Sequence, residues 1–163
     1  METDKKQIAI SFDAAWGNDD TETLINILKE YDTEIVDADK ILITGNSGGG
    51  TTSYYAACCD ERIKLCVPSC SFCSYRESIL DVIHCNCNYI PSSYLYFDMQ
   101  DLACLLAPRN FIAVTGKGDE IFPLNGARRA FETAKAIYRA NGAEDKCRLI
   151  ETPREHFWCK DIV

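Results

Sequence analysis

The chain has 163 residues, of which 47% are hydrophobic and 26% charged, a composition typical of one globular domain with a sizeable core. Its formal net charge of −8 opposes binding to nucleic acid or to an anionic membrane, because either partner would require a basic face. No apolar run approaches the length of a membrane span, and the N-terminus lacks the pattern of a signal peptide. We therefore expect no nucleic acid partner, no membrane association and a cytoplasmic location.

The first predicted unit is a strand, a loop and a helix. Residues 7–12 alternate toward apolar side chains and predict a strand. Asp19 and Glu22 then form a capping-box pattern, and the apolar residues after them recur at helical spacing. Those residues are Leu24, Ile27, Leu28 and Tyr31.

The stretch from Lys40 to Thr52, KILITGNSGGGTT, predicts a strand, a tight turn and a helix with Ser47 at the apex. A serine on such a turn has strained backbone geometry, and side chains in place of Gly45 or Gly49 would collide with the adjoining strand or helix. The turn exposes the hydroxyl and directs the backbone N–H of Gly48 toward an oxyanion. The G-x-S-x-G pattern therefore makes Ser47 a candidate nucleophile.

The rest of the chain alternates between helical and strand patterns. The helix after the serine is expected to end near Cys58, and a Ser74/Glu77 capping box predicts another through about His84. Residues 84–97 carry too many turn formers for regular structure. The remaining predicted elements are strands at 63–70, 110–115 and 147–151, a short helix at 101–106, and a long helix at 127–138 that Gly142 stops. This alternation predicts an α/β fold, with a mostly parallel sheet of about five strands and flanking helices in a single domain.

Ten cysteines require a decision between disulfides, a metal site and reduced thiols. The spacings Cys70-x-x-Cys73 and Cys85-x-Cys87 could hold zinc, but the first pair continues from a predicted strand and the second lacks the usual spacing. We expect reduced thiols packed as small hydrophobic side chains, with no metal and no cofactor. The ten are Cys58, Cys59, Cys66, Cys70, Cys73, Cys85, Cys87, Cys104, Cys147 and Cys159.

Three polar residues follow predicted strands, at the edge of a parallel sheet where ligands bind: Ser47, Asp119 and His156. The order Ser, Asp, His along the chain is that of the G-x-S-x-G hydrolases. His156 would take the proton of Ser47 as it attacks a carbonyl, and Asp119 would fix the imidazole tautomer. Glu120 is the alternative acid. His84, at the end of a predicted helix and far from a strand terminus, is the alternative base.

From about residue 33 to 157 the sequence resembles the acetyl xylan esterases and dienelactone-hydrolase-like esterases of the α/β-hydrolase family. The matching stretches are VDADKILITGNSGGGTTSYYAACCDERIK, VPSCSFCSYRESIL, HCNCNYIP, DLACLLAPRNFIAVTGKGDEIFP and REHFW. The resemblance implies that Ser47 is the nucleophile, Asp119 the acid and His156 the base. It implies an esterase for small acyl groups, with acetyl esters on carbohydrates as substrates, and makes the cysteine-rich stretch a family feature rather than a metal site.

Residues 5–31, KKQIAISFDAAWGNDDTETLINILKEY, resemble instead the opening of the polysaccharide deacetylases, which are metal enzymes. That resemblance would make Asp13 the catalytic base and Asp19 or Asp20 a metal ligand. The His-x-x-x-His ligand pair of that family has no counterpart in this sequence, so metal-dependent deacetylation is the less favoured alternative. Helix capping is the stronger interpretation of these aspartates.

The two resemblances meet near Asp32, where a deacetylase-like unit, residues 1–32, precedes the C-terminal part of an esterase, residues 33–163. In the esterase family the second oxyanion N–H comes from a loop after an early strand, which leaves Gly48 as the one donor we can name. Loss of one such donor costs on the order of a hundredfold in rate. A non-catalytic truncated or fused remnant without a complete oxyanion hole is therefore the alternative function.

The order of the predicted elements also affects the sheet. If the strands follow in sequence, every right-handed crossover places its helix on the same face and leaves the other face bare. We expect that apolar face to be covered by a second copy of the chain, or else to cause aggregation.

Overall fold

The structure, a computed structural model, describes residues 40–158, which belong to one compact unit spanning residues 36–163. A four-stranded sheet forms its centre, with strands in the order β1-β2-β3-β4 and every neighbouring pair parallel. The strands are β1 (Ile41–Asn46), β2 (Ile63–Ser69), β3 (Asn110–Gly116) and β4 (Cys147–Thr152). These four strands confirm the predicted parallel α/β architecture. The strand predicted at 7–12 lies outside the described residues.

Within residues 40–158 the chain also forms three helices: α1 (Gly48–Cys59), α2 (Ala103–Leu106) and α3 (Leu124–Ala140). Helix α1 packs on β1 and β2, α3 packs on β3 and β4, and α2 contacts both of the other helices. Buried aromatic rings fill the layer between helices and sheet, where Phe111 of β3 lies 5.5 Å from the ring of Tyr54 and 5.1 Å from that of Phe72. Coverage of the opposite sheet face by a second copy stays a prediction. Within residues 40–158, no helix is both long and apolar enough to cross a bilayer.

Helix α3 ends as the sequence predicts. Its last residue is Ala140, and Gly142 has a φ of 67°, a left-handed conformation that glycine adopts without a steric penalty. The N–H groups of Gly142 and Ala143 donate to the carbonyls of Arg139 and Tyr138, so the last carbonyls of the helix are satisfied.

The helix predicted from Ser74 to His84 is wrong. Only a 3₁₀ turn, Tyr75–Glu77, forms there. The carboxylate of Glu77 accepts a hydrogen bond from the Ser74 hydroxyl at 3.1 Å and pairs with Arg129 on α3, so it does not cap a helix. The backbone N–H of Tyr75 donates to the carboxylate of Asp98 at 2.7 Å. These tertiary contacts override a local capping signal.

The remaining predictions for the long connection between β2 and β3 are confirmed. Residues 84–97 are irregular apart from two 3₁₀ turns, Asn86–Asn88 and Ser93–Leu95. The short helix predicted at 101–106 appears as a 3₁₀ turn, Met99–Leu102, that continues directly into α2.

Candidate active site

Ser47 occupies the turn between β1 and α1 in a strained conformation, with φ 55° and ψ −126°. A Cβ added at Gly45 would lie 2.4 Å from the backbone of Gly49, and one added at Gly50 would lie 2.8 Å from the carbonyl oxygen of Gly45. At Gly49 a Cβ would meet nothing within 4 Å, so the predicted collision is wrong there and falls at Gly50 instead. The N–H of Ser47 donates to the carbonyl of Ser69 at 2.9 Å, which fixes the turn to the end of β2. Strain of this kind at a non-glycine residue is a mark of functional sites.

Asp119 and His156 form a hydrogen-bonded pair in the loops after β3 and β4. Nδ1 of His156 donates to Oδ2 of Asp119 at 2.9 Å. The other carboxylate oxygen accepts hydrogen bonds from the backbone N–H groups of Ile121 and Phe122, both at 2.9 Å. The Asp119 side chain is fully buried, whereas that of His156 keeps 22% of its surface exposed. A neutral imidazole held in this way keeps its proton on Nδ1 and has Nε2 available as a base.

The carboxylate of Asp119 is stabilised in its charged form. Burial by itself would raise the pKa of Asp119, but the hydrogen bonds from His156, Phe122 and Ile121 outweigh burial and hold that pKa below its ordinary value of 3.8. Asp119 is therefore ionised at neutral pH and attracts an imidazolium.

Backbone contacts hold the segment that carries His156 against the end of β3. The N–H of Lys117 donates to the carbonyl of Thr152 at 2.9 Å, and that of Gly118 donates to Arg154 at 3.1 Å. A Cβ at Gly116 would lie 2.2 Å from the carbonyl oxygen of Glu155. Position 116 therefore requires glycine, because the chain passes directly over it one residue before His156.

The alternative acid, Glu120, and the alternative base, His84, have different surroundings in the structure. Glu120 is exposed, while its neighbour Asp119 is the residue that contacts His156. His84 was expected far from the strand ends, and the structure corrects this. Its ring packs edge-on against Phe122 with 4.9 Å between centroids, and Phe122 stacks on His156 at 5.9 Å with the rings 9° from parallel. The segment that carries His84 folds back over the site because it does not form the predicted helix.

A hydrogen-bond chain connects His84 to the loop of the candidate acid. The Ser78 hydroxyl donates its proton to the carbonyl of Ile121 at 2.7 Å. The 3.1 Å contact between that hydroxyl and Nε2 of His84 must then have the imidazole as the donor. Partial burial lowers the pKa of His84 below its ordinary value of 6.5, which favours this neutral donor form. His84 thus supports the loop that carries Asp119.

Cys70 is a neighbour of the site that the sequence did not indicate. It follows β2 with a φ of 47°, and its N–H donates to the carbonyl of Val114 at 2.8 Å. Its Sγ, a ring nitrogen of His156 and a carboxylate oxygen of Asp119 all lie within 4.8 Å of one another. Burial raises the pKa of the Cys70 thiol to about 11, so the thiol is protonated at neutral pH. The signal that could have identified it is its position as the last residue of the strand predicted at 63–70, at the sheet edge where Ser47 is also expected.

The end of β2 lies between Ser47 and the pair formed by Asp119 and His156. Ser47 binds the carbonyl of Ser69, Ser69 precedes Cys70, and the Cys70 thiol lies beside both partners. The residues that follow the four strands thus lie at the same edge of the sheet, although within residues 40–158 no hydrogen bond joins the Ser47 side chain to His156. Gly48 begins α1, so its N–H lies at the positive end of that helix.

Comparison with known proteins shows which other chains have a similar sequence or fold. No family model matches the chain. A Bacillus subtilis (strain 168) protein named "Putative hydrolase YtaP" is 31% identical over 102 residues, which cover 60% of this chain and 34% of that protein. A glucuronoyl esterase of carbohydrate esterase family 15 from Caldicellulosiruptor kristjansonii has a TM-score of 0.65 and 20% identity, and covers 86% of this chain and 44% of its own. This chain has an α/β-hydrolase-like fold.

A second solved structure, a glucuronoyl esterase from Sporotrichum thermophile, has a TM-score of 0.67 at 18% identity and covers 86% of this chain and 46% of its own. The α/β-hydrolase-like chain thus spans about a third of the length of YtaP and less than half of either esterase. The structural neighbours confirm the predicted α/β-hydrolase-like architecture. The deacetylase-like segment at 5–31, with Asp13, Asp19 and Asp20, lies outside the described residues and stays a prediction, as does the junction near Asp32.

Proposed function

We propose that this chain is a serine hydrolase that cleaves small-acyl carboxylic esters, and specifically acetyl esters on carbohydrates. The observation that carries the proposal is the hydrogen bond between Asp119 and His156, at the sheet edge where Ser47 occupies a strained turn. The carbohydrate esterases among the structural neighbours, together with the hydrolase name of YtaP, support ester hydrolysis as the reaction.

The mechanism assigns one role to each residue of the triad. Nε2 of His156 accepts the proton of Ser47 while the serine oxygen attacks the ester carbonyl carbon. Asp119 keeps the other imidazole proton on Nδ1 and stabilises the imidazolium that forms. The N–H of Gly48 donates to the oxyanion of the tetrahedral intermediate. The carbon–oxygen bond to the alcohol then breaks, His156 protonates the departing alcohol, and water hydrolyses the acyl-enzyme by the same route.

Substrate preference is tested with two kinds of ester. The resemblance to acetyl xylan esterases favours acetylated xylan, in which the sugar is the alcohol. The glucuronoyl esterases suggest the reverse arrangement, in which the sugar is the acid part of the ester. One structure from Sporotrichum thermophile contains methyl 4-O-methyl-β-D-glucopyranuronate, an ester of this kind. Release of acetate from acetylated xylan at a kcat/KM at least about tenfold above methanol release from that uronate ester would support the acetyl proposal, since tenfold corresponds to a transition-state difference of about 1.4 kcal/mol. The reverse preference would contradict it.

The triad itself is tested with a fluorophosphonate probe and with acetate-ester turnover. Wild type and Ser53→Ala should both be labelled and active, whereas Ser47→Ala should be neither. Ser53 is the matched control because it lies on the same helix and its hydroxyl binds only a carbonyl within that helix, that of Gly49, at 2.7 Å. Labelling and turnover that survive Ser47→Ala would overturn the proposed nucleophile.

The same experiment separates the two alternative functions. A chain that is labelled at Ser47 but turns over no ester would be the non-catalytic remnant, with a reactive serine and an incomplete oxyanion hole. Activity that a chelator abolishes and that Ser47→Ala leaves intact would identify a metal-dependent deacetylase.

A further inference from the structure

Cys70, Asp119 and His156 bring three different kinds of metal-ligating atom together. We propose that they form a binding site for a thiophilic divalent cation such as Zn²⁺, and that this cation inhibits the hydrolase when it binds. The thiol follows β2, the carboxylate lies in the loop after β3, and the imidazole lies in the loop after β4. Within residues 40–158 they form the one group of three such ligands whose donor atoms lie this close together.

The spacing of the ligand atoms suits a tetrahedral ion. With bonds of about 2.0 to 2.3 Å, tetrahedral zinc holds its ligand atoms roughly 3.3 to 3.8 Å apart. The 2.9 Å contact between His156 and Asp119 and the 4.8 Å limit of the whole group lie on either side of that range. Small movements of the three side chains are therefore sufficient to reach the spacing of a tetrahedral site.

The hydrogen bonds of the buried Cys70 thiol are weak. Its Sγ makes long contacts, at 3.7 Å to the carbonyl of Phe157 and at 3.9 Å to that of Glu155 and to the Ser69 hydroxyl. Contacts of this length to a thiol are weak, because sulfur is a poor donor and a poor acceptor. Replacing them with a metal–thiolate bond therefore loses little.

The charges also balance. Binding releases the Cys70 thiol proton to solvent and leaves a thiolate beside the carboxylate of Asp119. One dication with one thiolate, one carboxylate and a neutral imidazole has a net charge of zero. Burial of a neutral cluster of ion and ligands costs less free energy than burial of a charged one. The thiolate selects thiophilic ions such as Zn²⁺, Cd²⁺ or Co²⁺ over Mg²⁺ and Ca²⁺, which prefer oxygen ligands.

Inhibition follows from the tautomer of His156, and this step rests on the proposed function. The nitrogen that faces Asp119 is Nδ1, which carries a proton in the free pair. A cation bound to Nδ1 takes the place of that proton, and the neutral ring then carries its proton on Nε2. In this tautomer Nε2 cannot accept the proton of Ser47, so the nucleophile is not activated.

The test is a titration of the full chain with Co²⁺, followed by displacement with Zn²⁺. We expect one equivalent of Co²⁺ to give the thiolate-to-cobalt absorption and the intense visible bands of a tetrahedral site. Cys70→Ser should remove the thiolate absorption and weaken binding by more than about tenfold, since even a residue that only supports a ligand is worth 10- to 100-fold in affinity. Cys73→Ser is the matched control, because Cys73 is equally buried three residues away and faces Pro123.

His156→Ala provides a second variant that leaves the buried thiol in place. It should weaken Co²⁺ binding to the same degree, and far-UV circular dichroism checks that the variant is folded. Unchanged Co²⁺ spectra and affinity in both Cys70→Ser and His156→Ala would overturn the proposal, because the metal would then bind other thiols.

Fluorophosphonate labelling separates this proposal from the proposed function. Zn²⁺ should slow the labelling of wild type and of Cys73→Ser, and a chelator should restore the original labelling rate. In Cys70→Ser, Zn²⁺ should leave the labelling rate unchanged. Labelling that Zn²⁺ slows equally in Cys70→Ser would contradict the inhibitory step. A chain that is never labelled but binds Co²⁺ through Cys70 would refute the hydrolase proposal and leave the metal site standing.

Discussion

The imidazole of His156 stacks on the ring of Phe122, with 5.9 Å between centroids and 9° between ring planes. Phe122 is 1% exposed, and its backbone N–H also binds the carboxylate of Asp119. One residue therefore positions both members of the pair, through its ring for the base and through its backbone for the acid.

Replacing the ring of Phe122 should loosen His156 without removing any proposed catalytic group. We expect Phe122→Leu to lower the rate of fluorophosphonate labelling by about tenfold or more, because small displacements of a catalytic group cost rates of this order. The free energy of unfolding should fall by only about 1 to 2 kcal/mol. Phe131→Leu, in the core on α3, is the control and should lose similar stability with no loss of labelling. Equal labelling rates in the two variants would show that the stack does not position the base.

Asp119 and Glu120 are adjacent carboxylates of which one contacts His156. Asp119→Asn should lower kcat by about 10⁴-fold, because an amide stabilises the wrong imidazole tautomer and no longer stabilises the imidazolium. Glu120→Gln, which removes the same charge one residue away, should leave kcat within about twofold, since surface substitutions away from a site have small effects. A larger loss in Glu120→Gln than in Asp119→Asn would reverse the assignment of the acid.

The lowered pKa of Asp119 makes its contribution to stability dependent on pH. A carboxyl whose pKa is lower in the folded than in the unfolded state contributes stability above the unfolded value, and that contribution is lost as pH falls through the folded value. The advantage of wild type over Asp119→Asn in urea unfolding should therefore shrink as pH falls below the ordinary pKa of 3.8. An advantage that grows as pH falls below that value would show that burial, rather than the hydrogen bonds, determines the pKa.

The strands and the serine turn could be predicted because their signals are local. Apolar residues mark each of the four strands, and Gly45 is required by contacts with the backbone of Gly49 and Gly50, only a few residues away. The prediction that Ser47, Asp119 and His156 lie at one edge followed from the rule that parallel strands end at the same edge of the sheet, and their order along the chain is that of the G-x-S-x-G hydrolases.

The surroundings of the pair could not be predicted, because they depend on contacts between distant segments. Glu77 has a capping pattern with Ser74, but it binds Arg129, which lies 52 residues away. The loss of that predicted helix is what brings His84 over Phe122. Cys70 likewise approaches His156 through a backbone conformation, φ 47°, that no residue pattern indicates.

Gly116 should be intolerant of a side chain because the segment that carries His156 passes over it. A methyl group there would meet the carbonyl oxygen of Glu155 at 2.2 Å, so that segment must move. We expect Gly116→Ala to lower the labelling rate by about a hundredfold, the effect of misplacing a catalytic group by about 1 Å. Gly49→Ala is the control for stability, because a Cβ there meets nothing within 4 Å and alanine should stabilise α1 by up to about 1 kcal/mol. Wild-type labelling in Gly116→Ala would show that the crowded segment does not determine the position of His156.

The guanidinium of Arg109 connects helices α1 and α2 to strand β2. Its Nη1 donates to the carbonyls of Asp60 and Ile63 at 2.8 Å, and its Nη2 donates to those of Ala57 and Leu105 at 2.7 Å. One of these carbonyls, that of Ala57, is among the last four of α1, which have no partner within that helix. A lysine ammonium cannot reach all four, because it is a single point while the guanidinium is a planar fork.

Arg109→Lys should therefore lower the free energy of unfolding by about 1 to 3 kcal/mol, since it leaves partly buried carbonyls without a charged donor. Urea unfolding measures this loss. Arg128→Lys is the matched control, because Arg128 also binds through two nitrogens but does so at the surface, to Glu151. Surface pairs are worth about 1 kcal/mol or less. Equal losses in the two variants would show that the carbonyls around Arg109 find other donors, and that its guanidinium does not stabilise this part of the fold.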